Sequence, residues 1–346
     1  MKNSKKDFIN QHLEILRSLQ TAKGLFLASK KGVATGYDRA WLRDNFYTTL
    51  AFEETENCDI VKKAYRAILD IFLKHEHKIS WAAQNKPHES WQYIHARYNP
   101  ETFEEYWEGW GNKQNDAVGA ILFKLGDLEE KGQGVIKAEE DKKIVQRLAD
   151  YLNSIEYWQD PDSGMWEENE EIHASSVGAV LAGLKKIKSL SYLNVPDDLI
   201  SKGQTALDQL LPRESESKFC DLAQLSLIYP YDLADHAMAK QILENIEYFY
   251  QRSRGVIRYK NDKYYNKNKD GFSEEAEWTM ALPWLAIVYN QIGDKDKAKF
   301  YLNKAKSLLI GNQLPELYYS NSDKANDNIP LAWAESLLII AFNKII

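Results

Sequence analysis

Apolar residues return at helical spacing along nearly the whole chain. Residues 5–20 show the pattern plainly, with Phe8, Ile9, Leu13, Leu16 and Leu19 on one face. Eleven further stretches behave alike and predict helices over 39–54, 58–76, 113–127, 139–154, 173–189, 196–211, 219–229, 235–251, 276–292, 295–309 and 330–344. Strand signals are few: only Arg258-Tyr259 to Tyr264-Tyr265, around Asn261-Asp262, predicts a short hairpin. No low-complexity linker divides the run, so residues 1–346 are expected to form a single all-α domain.

The connections between these segments alternate in character. Odd-numbered helices after the first are entered by plain polar turns such as Glu56-Asn57-Cys58-Asp59 and Gly293-Asp294-Lys295-Asp296. The second, fourth, sixth, tenth and twelfth are entered by loops carrying aromatics, acids and glycine. These are Gly36-Tyr37-Asp38, the long stretch 80–112, Gly164-Met165-Trp166-Glu167, residues 270–277 and Leu314-Pro315-Glu316; the eighth is less distinctive. In a chain of antiparallel helix pairs every second connection lies at the same end, so the chemically rich loops are expected to converge. An open solenoid and a closed ring share that alternation. Solenoids repeat at a fixed period, whereas these connections vary widely in length, and Gly293 to Leu309 resembles one helix of a tetratricopeptide hairpin without a second copy. An (α/α)6 barrel of six inner and six outer helices is therefore the expected architecture.

Composition narrows the chemistry. Ten Trp and 20 Tyr in 346 residues are high for this length and point to either a large core or a stacking surface. A net charge of -7 disfavours a phosphate-tracking groove, so no nucleic-acid partner is expected. The Lys-rich N-terminus lacks the apolar run of a signal peptide and no segment approaches a membrane span, which predicts a cytoplasmic protein without a membrane partner. The two cysteines, Cys58 and Cys220, stand far apart, and His75 and His77 lack placed carboxylate or thiolate partners; no metal and no cofactor are expected.

The candidate residues lie in the converging loops. Trp41-Leu42-Arg43-Asp44, after Tyr37, sets a cation beside an anion at a helix start, a pair able to give and accept hydrogen bonds with vicinal hydroxyls. Trp110, Gln114 and Asp116 follow Trp81, Trp91, Tyr93, Tyr98, Tyr106 and Trp107; aromatic faces with amide and carboxylate edges suit a pyranose ring. Met165-Trp166-Glu167-Glu168 places carboxylates beside an aromatic that can desolvate them, which keeps a carboxylic acid protonated near neutral pH. By itself that acid cluster is more often the solvated first turn of a helix than a catalytic site. Arg258, Tyr259, Asp262, Glu277 and Trp278 repeat the mixture, and Glu316 sits on a turn just before the last helix.

Taken in order, these blocks resemble the glucoamylase family, glycoside hydrolase family 15, whose related modules also occur in phosphorylase kinase regulatory subunits. Trp41-Leu42-Arg43-Asp44 is similar to the family's substrate-clamping Arg-Asp, Trp110-Gly111 through Asp116 to its Trp-Gly...Gln-x-Asp segment, and Trp166-Glu167 to its general-acid block. Arg258-Tyr259 with Asp262, and Leu314-Pro315-Glu316 with Pro330-Leu331-Ala332-Trp333, match the remaining two. The resemblance implies inverting, exo-acting hydrolysis of α-linked glucosides, with Glu167 as general acid and Glu316 as general base. An inverting pair needs room for water, so the carboxyl groups are expected roughly 6.5–9.5 Å apart. The resemblance also implies that Tyr37, Trp41, Arg43, Asp44, Trp110, Gln114, Asp116, Trp166, Glu168, Arg258, Glu277 and Trp278 bind the sugar. Bacterial and archaeal members carry an N-terminal β-sandwich domain and many fungal ones a starch-binding module, neither of which fits in 346 mostly helical residues. Short α-glucoside oligosaccharides are thus the expected partner, with a non-catalytic sugar-sensing module as the alternative function. A helical-repeat interaction scaffold is a third reading, and it leaves the aromatic-acid loops unexplained.

Overall fold

The computed structural model describes residues 2–106, 108–266 and 274–346. Among them run α1 (Lys2–Ser18), α2 (Leu42–Glu54), α3 (Cys58–Lys74), α4 (Glu76–Ala82), α5 (Asn115–Glu130), α6 (Glu139–Ser154), α7 (Ala174–Ile187), α8 (Asp197–Leu210), α9 (Leu225–Ile228), α10 (His236–Tyr250), α11 (Ala281–Gln291), α12 (Lys295–Ser307) and α13 (Ala332–Ile345). Helices α2, α5, α7, α9, α11 and α13 pack each on the next, and α13 packs back on α2, which closes the ring. Around them α1, α3, α6, α8, α10 and α12 form the outer layer, giving the expected (α/α)6 barrel.

Burial explains which helices stand inside. In α2 every residue from Leu42 to Phe52 is buried, and α7 is buried from Ala174 to Leu184, as a helix walled on all sides must be. The outer α3 buries a single stripe that includes Val61, Ala64, Tyr65, Ile68 and Phe72. Tyr47, Trp284 and Phe46 are wholly enclosed, each contributing roughly 1.5–3 kcal/mol of transfer free energy. Between α5 and α7 the backbones nearly touch: a Cβ on Gly119 would lie 2.5 Å from the Ala179 carbonyl carbon, and one on Gly183 would lie 2.4 Å from the Gly119 oxygen.

Four departures from the sequence reading matter to the site. The expected helix starts at 39 and 276 are extended backbone instead: β1 (Ala40–Trp41) pairs antiparallel with β2 (Arg97–Tyr98), and β3 (Glu277–Trp278) with β4 (Leu317–Tyr318). These residues continue the apolar pattern of the helices they precede, but their backbones bond across to another loop. The expected hairpin at 258–265 is a turn, because Arg258 reaches forward to Asp262 (Nε to Oδ2, 2.7 Å) and Asn261 takes φ 69°. Helix α4 lies within a stretch read as the tail of a helix and a loop. Helix α9 is only one turn, preceded by a short 3-10 turn at Leu222–Gln224. Trp107 and the 270–273 part of one expected loop lie outside the described residues.

Candidate active site

The loops that enter α2, α5, α7, α11 and α13 meet over one end of the barrel around a cavity of about 200 Å³. Of the residues singled out from sequence, Tyr37, Trp41, Arg43, Asp44, Trp110, Trp166, Glu167, Arg258, Trp278 and Glu316 line it. Gln114, Asp116, Glu168 and Glu277 stand behind the wall.

The loop carrying Glu167 is closed at its base by reciprocal backbone bonds between Asp162 and Glu171 (2.9 and 3.0 Å). Gly164 and Glu167 both take left-handed backbone conformations, φ 63° and 65°, and for a glutamate that is a strained position held by its surroundings. Those surroundings include Gly111, where a Cβ would fall 2.9 Å from Ser163 Oγ and 3.0 Å from the Glu167 carbonyl oxygen. Glycine after Trp110 thus lets the two loops touch. The contact delivers the Trp110 indole N–H to Glu167 Oε2 at 2.8 Å, while an Arg43 guanidinium nitrogen lies 3.7 Å from Oε1. Burial pushes the Glu167 carboxyl above the usual range, opposed by Arg43, the Trp110 hydrogen bond and Arg97. The side chain still keeps 24 % of its surface open, on the cavity side.

Glu316 is held differently. Thr279 donates its backbone N–H to the Glu316 carbonyl (3.1 Å), and the Glu316 N–H bonds to the Asn328 carbonyl (3.0 Å), so the β3–β4 ladder carries the residue to the cavity. The residue is 1 % exposed. Oε2 accepts from Asn326 Nδ2 and from Asn328 Nδ2 (2.7 Å). Burial raises this carboxyl too, but the two amides favour its charged form. Asp44 lines the same cavity in electrostatic reach of both glutamates. Burial together with Glu167 and Glu316, against the pull of Arg43, raises it to about 7.

Two arginines are set by the residues behind the wall. Arg43 Nε donates to Asp116 Oδ2 (2.7 Å) and a second nitrogen donates to Gln114 Oε1. Arg258 is gripped by Asp262 and reaches Glu168 Oε1 (3.2 Å); Lys218 lies 3.4 Å from the other Glu168 oxygen. Glu168 is thus committed to cations while its neighbour faces the cavity. Glu277 accepts the Arg254 and Gly255 backbone N–H groups and shapes the loop before Arg258. Trp166 donates to Asp221 (2.7 Å) and stacks on Trp333 (6.0 Å between rings, 20°). Tyr37 and Tyr264 share a hydroxyl contact of 3.1 Å beside Glu316.

Sequence reasoning missed Thr35, Arg97, Met165, Tyr264, Met280, Leu331 and Trp333 as lining residues, and Asn326 and Asn328 as partners of Glu316. Arg97 stacks 4.1 Å over Trp110 and 5.1 Å over Trp41. Its signal was present as a cation amid an aromatic run; the doubled asparagines also stood out in Asn326-Asp327-Asn328. Trp81 and Trp91 are exposed away from the cavity lining, Tyr93 and Tyr98 are core, and His75 Nε2 donates to the Phe103 carbonyl (2.8 Å). Among the described residues no helix is long and apolar enough to cross a membrane.

A closed six-over-six helical barrel whose loop end gathers carboxylates, arginines and indoles around one small cavity defines a glucoamylase-like barrel. The chain belongs to glycosyl hydrolases family 15, whose model matches residues 5–341. It is similar to a solved glycosidase in complex with glucose, with TM-score 0.81 at 16 % identity, covering 98 % of this chain and 96 % of that one. It also resembles the glucoamylase of Saccharomycopsis fibuligera (TM-score 0.66, 16 % identity, 98 % and 95 % covered). Among curated proteins it is 26 % identical, over 87 % of its length, to a probable phosphorylase b kinase regulatory subunit alpha of Caenorhabditis elegans, and spans 30 % of that relative.

Proposed function

We propose that this protein hydrolyses α-linked glucosides from the chain end with inversion, Glu167 acting as general acid and Glu316 as general base. The observation that carries the reading is the contrast between the two carboxyls. Both face one cavity, but Glu167 is half-buried against an indole N–H and Glu316 is fully buried under two amides. In the reaction Glu167 gives its proton to the leaving oxygen as the C1–O bond breaks. Glu316 takes a proton from the water that attacks C1 on the opposite face. Such paired proton transfers contribute about 10²–10⁴-fold each. Arg43 and Asp44 would hold hydroxyls, and the indoles of Trp41, Trp166 and Trp278 would pack the C–H face of the ring. A cavity this small favours one ring at a time and a short oligosaccharide.

Following the anomer by NMR across α-1,4, α-1,6 and α,α-1,1 glucosides tests the reading. β-Glucose should appear first, and Glu167→Gln and Glu316→Gln should each abolish turnover. Wild-type turnover in both variants, or initial release of α-glucose, would sink it. The regulatory-subunit relatives favour a second reading, in which the same pocket binds sugar as a signal. Calorimetry giving saturable oligosaccharide binding with no turnover would select that one.

A further inference from the structure

Behind the Glu167 loop lies a buried histidine that the mechanism above does not use. His173 caps α7 and is 3 % exposed. Its Nδ1 lies 3.5 Å from Glu214 Oε1. Its other edge packs on the backbone of Gly164, where an added Cβ would fall 2.8 Å from both Cδ2 and Nε2. Gly164 in turn begins the left-handed turn that leads to Glu167, and its N–H donates to Asp162 Oδ1 (3.2 Å). Asp162 also accepts the Asn115 N–H (2.8 Å), where α5 starts. Glu214 accepts the Ser175 hydroxyl (2.5 Å) and its backbone carbonyl accepts the Ala174 N–H (2.7 Å), tying the loop after α8 to the start of α7.

Resting on the hydrolase reading, we infer that His173 is a positioning residue: paired with Glu214 on one edge and packed on Gly164 with the other, it locks the loop that aims Glu167 at the leaving oxygen. Asp162 and Glu214 are each 1 % exposed. Two buried carboxyls without a cation would each bear a large desolvation cost. The other charged groups facing the site are Lys218 on the loop after α8, which opposes a second cation, and Glu171 on the acid loop, which favours one; Asp116 faces Asp162, and Asp221 faces Glu214. Burial disfavours the imidazolium, but Glu214 and Asp162 outweigh it and raise His173 to about 9. Because the shift is upward from an ordinary value of about 6.5, the lock holds around neutral pH, where the ring is charged, and weakens on the acid side as Asp162, raised to about 7 by burial, takes up a proton. The lock is released as pH rises through about 9.

The leaving group separates positioning from mere packing. A glucoside oxygen needs a proton to depart, whereas fluoride leaves α-glucosyl fluoride with far less help. In His173→Gln, kcat for an α-glucoside should fall by at least about tenfold, with kcat for α-glucosyl fluoride close to wild type. Equal losses on both substrates, or none on either, overturn the proposal and leave the hydrolase reading intact. A wild-type protein inert on both overturns the hydrolase reading instead. The lock is then judged by ¹⁵N NMR of the wild-type imidazole, which requires no turnover and no variant. A ring protonated at neutral pH and titrating near 9 supports it, and a ring neutral at pH 7.5 overturns it.

Discussion

Trp110 donates its indole N–H to Glu167 Oε2 across 2.8 Å, joining loops whose residues stand 57 positions apart. The bond favours the charged carboxylate, so it restrains the upward shift that burial imposes on Glu167. Trp110→Phe keeps the ring and removes the donor. A hydrogen bond to a charged group is worth about 1.5–3 kcal/mol, so kcat should fall by roughly one to two orders of magnitude. The Glu167 pKa should rise further, moving the alkaline limb of the kcat profile to higher pH. An unmoved or lowered limb would show that the indole does not act on this carboxyl.

At the other glutamate the sign is reversed for activity. In the proposed reaction Glu316 is the general base, which works only when ionised, and the Asn328 amide favours that charged form. Asn328→Ala should raise the Glu316 pKa, so activity is lost at a higher pH on the acid side. A pH series of kcat on one α-glucoside reads the shift directly, and a limb displaced downward contradicts it.

Arg43 and Asp116 form a buried pair, with 3 % and 2 % of their side chains exposed. Asp116→Ala takes from the guanidinium the buried partner that holds two of its nitrogens, which should cost about 3–5 kcal/mol of stability in denaturant unfolding. Activity should fall with it, because Arg43 would lose the geometry that faces it to Glu167. A change under about 1 kcal/mol, the range of exposed ion pairs, would mean that water replaces the pair.

The α5–α7 contact leaves no space for a methyl. Gly119→Ala places a carbon 2.5 Å from two backbone atoms of α7, and neither can rotate away. Overpacking of this kind costs about 1–3 kcal/mol. Thermal unfolding should detect it, whereas Gly132→Ala, in open space, tests only the separate strain of φ 67°.

The helices were legible because amphipathic spacing is a local property. Eleven of the expected segments overlap long helices of the barrel, and the eighth overlaps its shortest. The inner starts near 40 and 277 were misjudged because Ala40-Trp41 and Glu277-Trp278 carry the same apolar spacing while bonding to Arg97-Tyr98 and Leu317-Tyr318. Nothing within a few residues of Trp41 announces Arg97. The alternation of plain and aromatic connections did announce a shared end, since antiparallel helices place every second loop there.

Local spacing therefore determined the all-α class, the pairing into inner and outer helices and the set of loops that carry chemistry. Which of two adjacent acids faces the cavity was decided by tertiary structure: Glu168 is drawn to Arg258 and Lys218, leaving Glu167 to Trp110. The asparagines over Glu316 and the histidine behind Gly164 were decided there as well. Periodicity is written along one helix, but partners on separate loops meet only when the ring closes. Burial in that closed ring is what lifts the carboxyls out of their ordinary range.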